Sequence, residues 1–328
     1  MIITKTPLRI SFFGGGTDYP EYFNEFGGCV LSTTINKYVY VITNPIGGLL
    51  DDKYRIAYRK LEQCNSIDEI EHPSAREVLR HLSIHDGLDI NIISDLPART
   101  GLGSSSSFTV GLLHNLYAFK GLSKSKMEYA QEAIYVEKEI LKENVGVQDQ
   151  LAAAFGGFNY MHFSEQGLRV EPLQISDARK LALEKNLMLF YTGINRFATE
   201  VLKEQIQNTK EKKINTELKD IYNMVQQGMS ILSDESNQLD DFGRLMHEAW
   251  MAKRSLSTAI SNETLDNIYN KAMSAGAIGG KLLGAGGGGF FLFYVPQENQ
   301  DAVKTALSHL HQIDIQFENQ GSQIIFAT

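Results

Sequence analysis

Glycine is concentrated in three widely separated stretches of this sequence: PLRISFFGGGTDY (Pro7 to Tyr19), LPARTGLGSSSSF (Leu96 to Phe108) and KLLGAGGGGFFLF (Lys281 to Phe293). Five of the six residues from Gly284 to Gly289 are glycine. A simple hairpin rarely carries such a run, because glycine loses more conformational freedom on ordering than any other residue. The run is explained where backbone must lie close to a ligand or to another loop. The middle stretch leads from a strand-like segment into Phe108, Leu112, Leu116 and Phe119, which recur at helical spacing. It reads as a loop that feeds a helix N-terminus, where unsatisfied N–H groups and the helix dipole attract an anion. Gly101 and Gly103, on either side of Leu102, would let a polyphosphate approach, and only one of Ser104, Ser105, Ser106 and Ser107 is needed as a cap. A P-loop would add a lysine before Ser or Thr, yet no Lys occurs from Thr100 to Phe119. The positive charge has to come from elsewhere.

The first stretch sets Arg9 in a strand ahead of three glycines, Thr17 and Asp18. Taken alone, Asp18 is as simply a turn cap. Two further carboxylates stand in unusual places. Met127, Ala130, Ile134 and Leu141 form an apolar stripe, and Glu137 occupies a position where that stripe calls for another apolar residue. A carboxylate facing a core needs an ion-pair partner or a metal. In GVQDQLAAAFGG, Asp149 shares a helical face with Ala152, Ala153 and Gly156, all small enough to let a ligand pack closely, although a first-turn carboxylate also complements the helix dipole. Either role remains open for each. His81 and His85, four residues apart, and the KEKK run from Lys210 read most simply as surface features, and Trp250 as core or cleft wall.

Composition narrows the classes. With 328 residues, 43% of them hydrophobic and 21% charged, the chain can bury a large core and has the length of two domains. A formal net charge of −8 disfavours nucleic acid or an anionic membrane as the partner. Two cysteines build neither a zinc site nor a disulfide framework. No apolar run approaches the roughly 18 residues of a membrane helix, and the N-terminal segment lacks signal-peptide character, so a cytoplasmic location is expected.

Alternation and β-branching predict strands through residues 1–60 and at LDINIIS. Helices are predicted from Ser104 and, capped by Ser123, along the stripe containing Glu137. A hairpin is expected over GGFNYMHF and LRVEPL, and a strand at LMLFYTG. Long helices are expected from Arg196 to Thr258, with another in SNETLDNIYNKAMSAG; strands at FFLFYV and SQIIFA flank a last short helix. A boundary near residues 175–187 divides domains of residues 1–180 and 181–328, in a chain of the α/β (α+β) class.

The three loops, in this order, resemble the three motifs of the GHMP superfamily of small-molecule kinases. GVQDQ is similar to the galactokinase stretch that holds a catalytic Asp, and Glu137 stands at the matching distance upstream for a Mg²⁺ ligand. The resemblance runs along nearly the whole chain. It implies an N-terminal ribosomal-protein-S5-like domain, a C-terminal ferredoxin-like domain, and ATP and Mg²⁺ as cofactors. ATP would lie along residues 101–107, with Gly284, Gly286, Gly287 and Gly288 in the third motif. By the same resemblance Ser105 and Glu137 would hold Mg²⁺, Asp149 would face the acceptor hydroxyl, and Arg9 would stand near the transferring phosphoryl group. Gly15, Gly16, Thr17 and Asp18 would line the acceptor end. Galactokinases carry Gly-Glu-His where this chain has Gly14, Gly15 and Gly16, so the pocket should admit a bulkier or differently substituted sugar.

The first motif, GVQDQ and the stretch from His247 to Gly289 look most like the bacterial heptose 7-phosphate kinases, which phosphorylate an anomeric hydroxyl. A phosphorylated acceptor needs a basic clasp, for which Arg196, Lys253 and Arg254 are candidates. The resemblance therefore implies a sugar 1-kinase whose partners are a sugar phosphate and ATP, with a homodimer compatible. An alternative is a kinase for an unphosphorylated, fucose- or galactose-like sugar. Another is a non-catalytic sugar and nucleotide sensor, against which Arg9, Glu137 and Asp149 speak. No Gly-x-Gly-x-x-Gly follows a strand with an acidic residue about 20 positions on, which disfavours a dinucleotide oxidoreductase.

Overall fold

The computed structural model describes residues 1–46, 51–194, 204 and 206–328. Among these, two sheets organise the chain. The first is built on β1 (Ile2–Phe13) and the long β2 (Gly28–Pro45), which run antiparallel; the short helix α1 (Pro20–Phe26) lies between them. That helix falls within the stretch expected to be all strand, and Pro20 at its first turn explains its start. The hairpin β3 (Tyr54–Ala57) and β4 (Leu61–Cys64) precedes helix α2 (Pro73–His81) and β5 (Leu88–Ser94). β5 pairs with the second half of β2, and β3 pairs parallel to β5.

Helix α3 (Ser104–Phe119) follows the middle glycine loop and packs on β1 and β2. Next comes α4 (Lys126–Tyr135). Its cap is Ser125 rather than the expected Ser123: Ser125 Oγ accepts from the Glu128 N–H while the Glu128 carboxylate accepts from the Ser125 N–H, a reciprocal capping box. The last turn widens into a π-helical segment, Val136–Ile140, which carries Glu137. Helix α5 (Gln148–Phe155) leads to the expected hairpin, β6 (Phe158–Ser164) and β7 (Gly167–Pro172), with β6 paired to the first half of β2.

The second sheet begins after α6 (Asp177–Lys185). It contains β8 (Leu187–Tyr191), then, beyond α7 (Asn215–Ser233), α8 (Asp240–Arg254) and α9 (Glu263–Ser274), the strands β9 (Gly279–Leu282) and β10 (Phe290–Tyr294). Helix α10 (Gln300–Ala306) and β11 (His311–Ile313) complete it, in the antiparallel order β11-β8-β10-β9. All five residues of β10 are buried, and Phe291 and Phe293 stack in a cluster with Trp250 and Tyr269. Trp250 is therefore core.

The chain then turns back. β12 (Phe317–Glu318) pairs with β2, and β13 (Gln323–Ala327) pairs with β1, so the last strands belong to the first sheet. SQIIFA is a strand, as its alternation suggests, but its partner lies at the opposite end of the sequence. A division near residue 180 separates the two sheets only as far as β11. Phe12 from β1 meets Phe158, Phe242 and Phe317, so the aromatic core bridges both halves.

Candidate active site

The middle and third glycine loops lie backbone against backbone. Gly101 has φ +85°, and a Cβ added there would sit 2.4 Å from the Leu283 carbonyl oxygen. One on Gly284 would lie 2.3 Å from Gly101 Cα, and one on Gly289 would lie 2.3 Å from the Thr100 carbonyl oxygen. No side chain fits such distances. The third run is dense in glycine because it packs on the second loop and on the backbone of Ile260 and Ile194. Gly284, Gly286, Gly287 and Gly288 all have positive φ.

At the head of α3, Gly103 is the N-cap in the left-handed region and supplies no side-chain cap. The first-turn N–H groups of a 16-residue helix are thus left for an anion. The serines divide the work. Ser107 Oγ donates to the Pro7 carbonyl (2.8 Å) and ties the helix to β1; Ser106 Oγ donates to Glu137 Oε2 (2.9 Å). Ser104 is half-buried and Ser105 exposed. The serine bonded to Glu137 is thus Ser106, while Ser105, the serine that the resemblance implied as a Mg²⁺ ligand, makes no bond to Glu137.

Glu137 is fully buried. Its Oε2 accepts from Ser106 and from Gln150 Nε2, while its Oε1 makes no hydrogen bond of good geometry among the described residues, although the Thr109 hydroxyl stands near enough to favour the charged carboxylate. Burial pushes its carboxyl up to about 7. A buried carboxylate with one orphan oxygen, beside a hydroxyl at a helix N-terminus, has the donor chemistry of a hard divalent cation site.

Arg9 and Asp149 form a two-pronged pair: Arg9 Nε donates to Asp149 Oδ1 (2.8 Å) and Nη2 to Oδ2 (3.0 Å). The third prong, Nη1, donates to the Gly101 carbonyl (2.6 Å), and the Arg9 backbone N–H donates to the Leu102 carbonyl. The guanidinium is buried, whereas a quarter of the Asp149 side chain (26%) is exposed. A planar fork holding both carboxylate oxygens fixes that carboxylate's orientation. A Cβ on Gly103 would come 3.2 Å from Arg9 Cγ and 3.3 Å from Asp149 Oδ2, so this pair lies directly against the head of α3.

The first loop forms the other wall. Thr17 is fully buried, and its hydroxyl bonds to the Gly14 and Cys29 carbonyls and the Cys29 N–H; it fastens the turn. Asp18 Oδ1 accepts from the Gly16 N–H and Oδ2 from Gln148 Nε2, both at 2.9 Å. Gly146 must lack a side chain because its Cβ would fall 1.9 Å from Asp18 Oδ2. Burial raises the Asp18 carboxyl above its usual range.

Of the basic candidates, Arg196 lies outside the described residues. Lys253 is half-buried and donates to the Leu282 carbonyl (3.0 Å) and the Gly284 carbonyl, so it braces the third loop. Arg254, one residue on, turns outward to Asp266 (2.7 Å). Burial and the nearby Arg9 guanidinium lower the Lys253 ammonium to about 7. Lys281, buried in β9 and bonded to the Phe12 carbonyl (2.6 Å), is a third basic side chain here that the sequence alone did not single out, and burial pushes its ammonium well below the usual lysine range. The signal was a lone charge in GGKLL. Neither histidine contributes: His81 bonds to Glu132 at the surface, and no group of three or more His, Cys, Asp or Glu gathers as a metal cluster among the described residues. Nor is any helix among them long and apolar enough to cross a membrane.

Residues 71–157 match the family model of the GHMP kinases N-terminal domain, and residues 231–312 that of the GHMP kinases C-terminal domain. D-glycero-alpha-D-manno-heptose 7-phosphate kinase of Campylobacter jejuni is 30% identical over 98% of this chain and 97% of its own. Mevalonate kinase of Pyrococcus horikoshii is 27% identical over 93% of this chain and 92% of its own. The crystal structure of a D-glycero-D-manno-heptose 1-phosphate kinase from Bacteroides thetaiotaomicron superposes with a TM-score of 0.82 at 25% identity, covering 100% of both chains. This chain belongs to the GHMP kinase family. It has that family's two-domain architecture of mixed helices and sheets, and it is an enzyme, an ATP-dependent phosphotransferase with a hydroxyl group as acceptor.

Proposed function

We propose that the chain is a sugar kinase that transfers the γ-phosphoryl group of ATP to the anomeric hydroxyl of a heptose phosphate. The observation that carries the chemistry is the Asp149 carboxylate, clamped by Arg9 and facing the head of α3. In this reading the phosphates lie along residues 101–107 and take hydrogen bonds from the first-turn N–H groups. Asp149, partly open to the cleft, accepts the proton of the sugar hydroxyl as the new P–O bond forms. Arg9 holds that carboxylate in line and adds positive charge beside the transferring group. Glu137 and Ser106 are the residues that would hold Mg²⁺; their fit is the orphan Oε1 of a buried carboxylate. The ion would supply charge stabilisation to the phosphates. Together with the dipole and Arg9 it takes the place of the absent P-loop lysine.

The choice of a heptose phosphate rests on likeness to the Campylobacter enzyme along nearly the whole chain. Lys253 and Arg254 already have partners, so the proposal assigns the substrate's own phosphate to Arg196. A second reading, a kinase for an unphosphorylated sugar, is favoured by the likeness to the bifunctional fucokinase/GDP-fucose pyrophosphorylase of Arabidopsis thaliana, 24% identical over 96% of this chain and 32% of that protein. ADP release with ATP, Mg²⁺ and a panel of hexoses and heptoses, with and without terminal phosphates, separates the two. The heptose phosphate should give the highest kcat/KM, and Arg196→Ala should penalise it more than its unphosphorylated parent. Preference for an unphosphorylated sugar would install the second reading.

A further inference from the structure

The middle glycine loop carries one strained side chain. Arg99 has φ +63°, in the left-handed region, where an L side chain is uncommon and strained. It heads a regular alternation: Gly101 (+85°) and Gly103 (+76°) are also left-handed, whereas Thr100 and Leu102 between them are not. Alternation of this kind gathers successive backbone N–H groups into a concavity that holds an anion. No backbone carbonyl among the described residues accepts from the N–H groups of Gly101 to Ser106.

Glycine is the strain-free choice at all three left-handed positions, and the chain uses it at two. There it has no alternative: a Cβ on Gly101 would fall 2.4 Å from the Leu283 carbonyl oxygen, and one on Gly103 would press on Arg9 and Asp149. Arg99, by contrast, is exposed. Its turn is firmly held, since the Thr100 hydroxyl donates to the Pro97 carbonyl (2.8 Å) and the Thr100 carbonyl packs against Gly289. An arginine kept at such a position despite the strain points to a task for its side chain. Arg99 is also the only Lys, Arg, Asp or Glu from Leu96 to Phe119.

The charges around Arg99 place it near the head of α3. Burial raises the Glu143 carboxyl, and the Arg99 guanidinium draws it back down. Glu143 lies beside Glu137: its N–H donates to the Glu137 carbonyl (2.9 Å), and its charge adds to the rise that burial imposes on the Glu137 carboxyl. Glu137 in turn bonds to Ser106 in the first turn of α3. We propose that Arg99 is a nucleotide-binding residue whose guanidinium pairs with the polyphosphate of ATP held by this loop. The role requires the phosphates to lie along residues 101–107, as in the reading above, and is independent of which sugar accepts. A guanidinium meets phosphate oxygens with two parallel N–H donors, where a P-loop lysine offers a point charge. Arg9 already uses all three of its nitrogens on Asp149 and the Gly101 carbonyl, so direct contact with phosphate falls to Arg99.

The competing account is structural: Arg99 would serve only as a partner of Glu143, pinning residues 141–147 to the loop. Arg99→Gly and Glu143→Gln separate the two, read by thermal denaturation and by calorimetric titration with metal-free ATP and ADP in the absence of sugar. Arg99→Gly should keep or raise Tm, since glycine adopts φ +63° without strain. Its dissociation constants for ATP and ADP should rise about 10- to 100-fold, the range of charge-assisted hydrogen bonds. Adenosine, which carries no phosphate, should inhibit wild type and Arg99→Gly with constants within about twofold of each other. Glu143→Gln should bind ATP at least as tightly as wild type, because the amide releases Arg99 and removes a negative charge.

Unchanged nucleotide affinity in Arg99→Gly overturns the proposal. So does an equal loss for adenosine, the mark of a contact to the base or ribose or of a distorted loop. A lower Tm in both variants, with the same loss of ATP affinity in Glu143→Gln, also overturns it, as the result expected of a structural pair. Gly101→Ala tells this failure from failure of the phosphate placement. If Gly101→Ala weakens ATP and Arg99→Gly does not, the role of Arg99 alone is refuted. If neither weakens it, the phosphates do not lie along residues 101–107, and both readings fall together.

Discussion

The two ends of the cleft are built in different ways. At the nucleotide end, backbone meets backbone: Gly101, Gly284 and Gly289 are held where no Cβ fits, and Lys253 laces the third loop from below. At the proposed acceptor end side chains do the work, with Arg9 gripping Asp149 and Gln148 gripping Asp18. Glycine is constrained differently at the two ends. A glycine in the interlocked loops is required by the backbone packed against it, whereas a methyl on Gly15 would meet only ordinary contacts among the described residues. Substitution of the interlocked glycines should therefore damage stability and function together, and substitutions at the acceptor end should change chemistry while the fold persists.

The sharpest test of that separation is Asp149→Asn. The amide keeps the shape and can still accept from Arg9, but cannot take the sugar's proton. A loss of roughly 10²–10⁴-fold in kcat is expected, the range of a general base, with an unchanged circular dichroism spectrum and little change in ATP KM. Phosphoryl transfer through a loose transition state leans heavily on positioning, so the lower part of that range is the more natural outcome. A near-normal kcat would remove Asp149 from proton transfer and leave Arg9 as the principal group at that end.

Glu137→Gln probes the boundary between the two regions. Loss of the carboxylate should lower kcat by about 10²-fold at low Mg²⁺ and raise the Mg²⁺ concentration needed for half-maximal rate. Because burial penalises the charged carboxylate, the ligand-free variant should be at least as stable as wild type at pH 8. An unaltered Mg²⁺ dependence would make Glu137 a structural partner of Ser106 and Gln150.

Gly101→Ala tests the interlocked loops at the other end. Its positive φ and the 2.4 Å approach to the Leu283 carbonyl oxygen force the loops apart, so a destabilisation of about 2–3 kcal/mol is expected. Thermal denaturation should show Tm lower by roughly 5 °C or more, together with weaker ATP binding. If Gly101→Ala melted like wild type, the interlocked-loop description of this end would be wrong.

The smallest effect concerns Lys253. Its ammonium is lowered to about 7 in the folded protein from an ordinary 10.5, so the unfolded chain binds more protons between those values. The stability it contributes is therefore full only above about 10.5, diminishes as pH falls, and is gone by about 7. In the ligand-free protein Tm should rise between pH 7 and 9 relative to Lys253→Met, by roughly 3 °C. Parallel pH profiles for the two proteins would show that Lys253 stays fully charged in the fold.

Much of this architecture is written locally. The helix after the middle glycine loop follows from apolar residues three and four apart, and the hairpin at residues 158–172 from alternation around a turn. Glu137 could be singled out because a charge interrupting an apolar stripe is visible in sequence alone. Its setting is tertiary. The π-helical turn that carries it, and the choice of Ser106 over Ser105 as its partner, depend on how α3 and α4 meet. Ser125 displaced Ser123 as a cap because Glu128, three residues on, could return the hydrogen bond.

The sequence by itself determined that three glycine-rich turns, an arginine and three carboxylates had to be accommodated, because each is costly unless something justifies it. Only the tertiary structure decided which glycines have backbone packed against them and which do not. It also decided that Lys253 and Arg254, neighbours in the chain, point to different tasks, since successive residues on a helix diverge by about 100°. The return of β13 to β1 was likewise invisible. A strand's alternation reports which face it buries, whereas its partner is set by where the rest of the chain has left an edge unpaired.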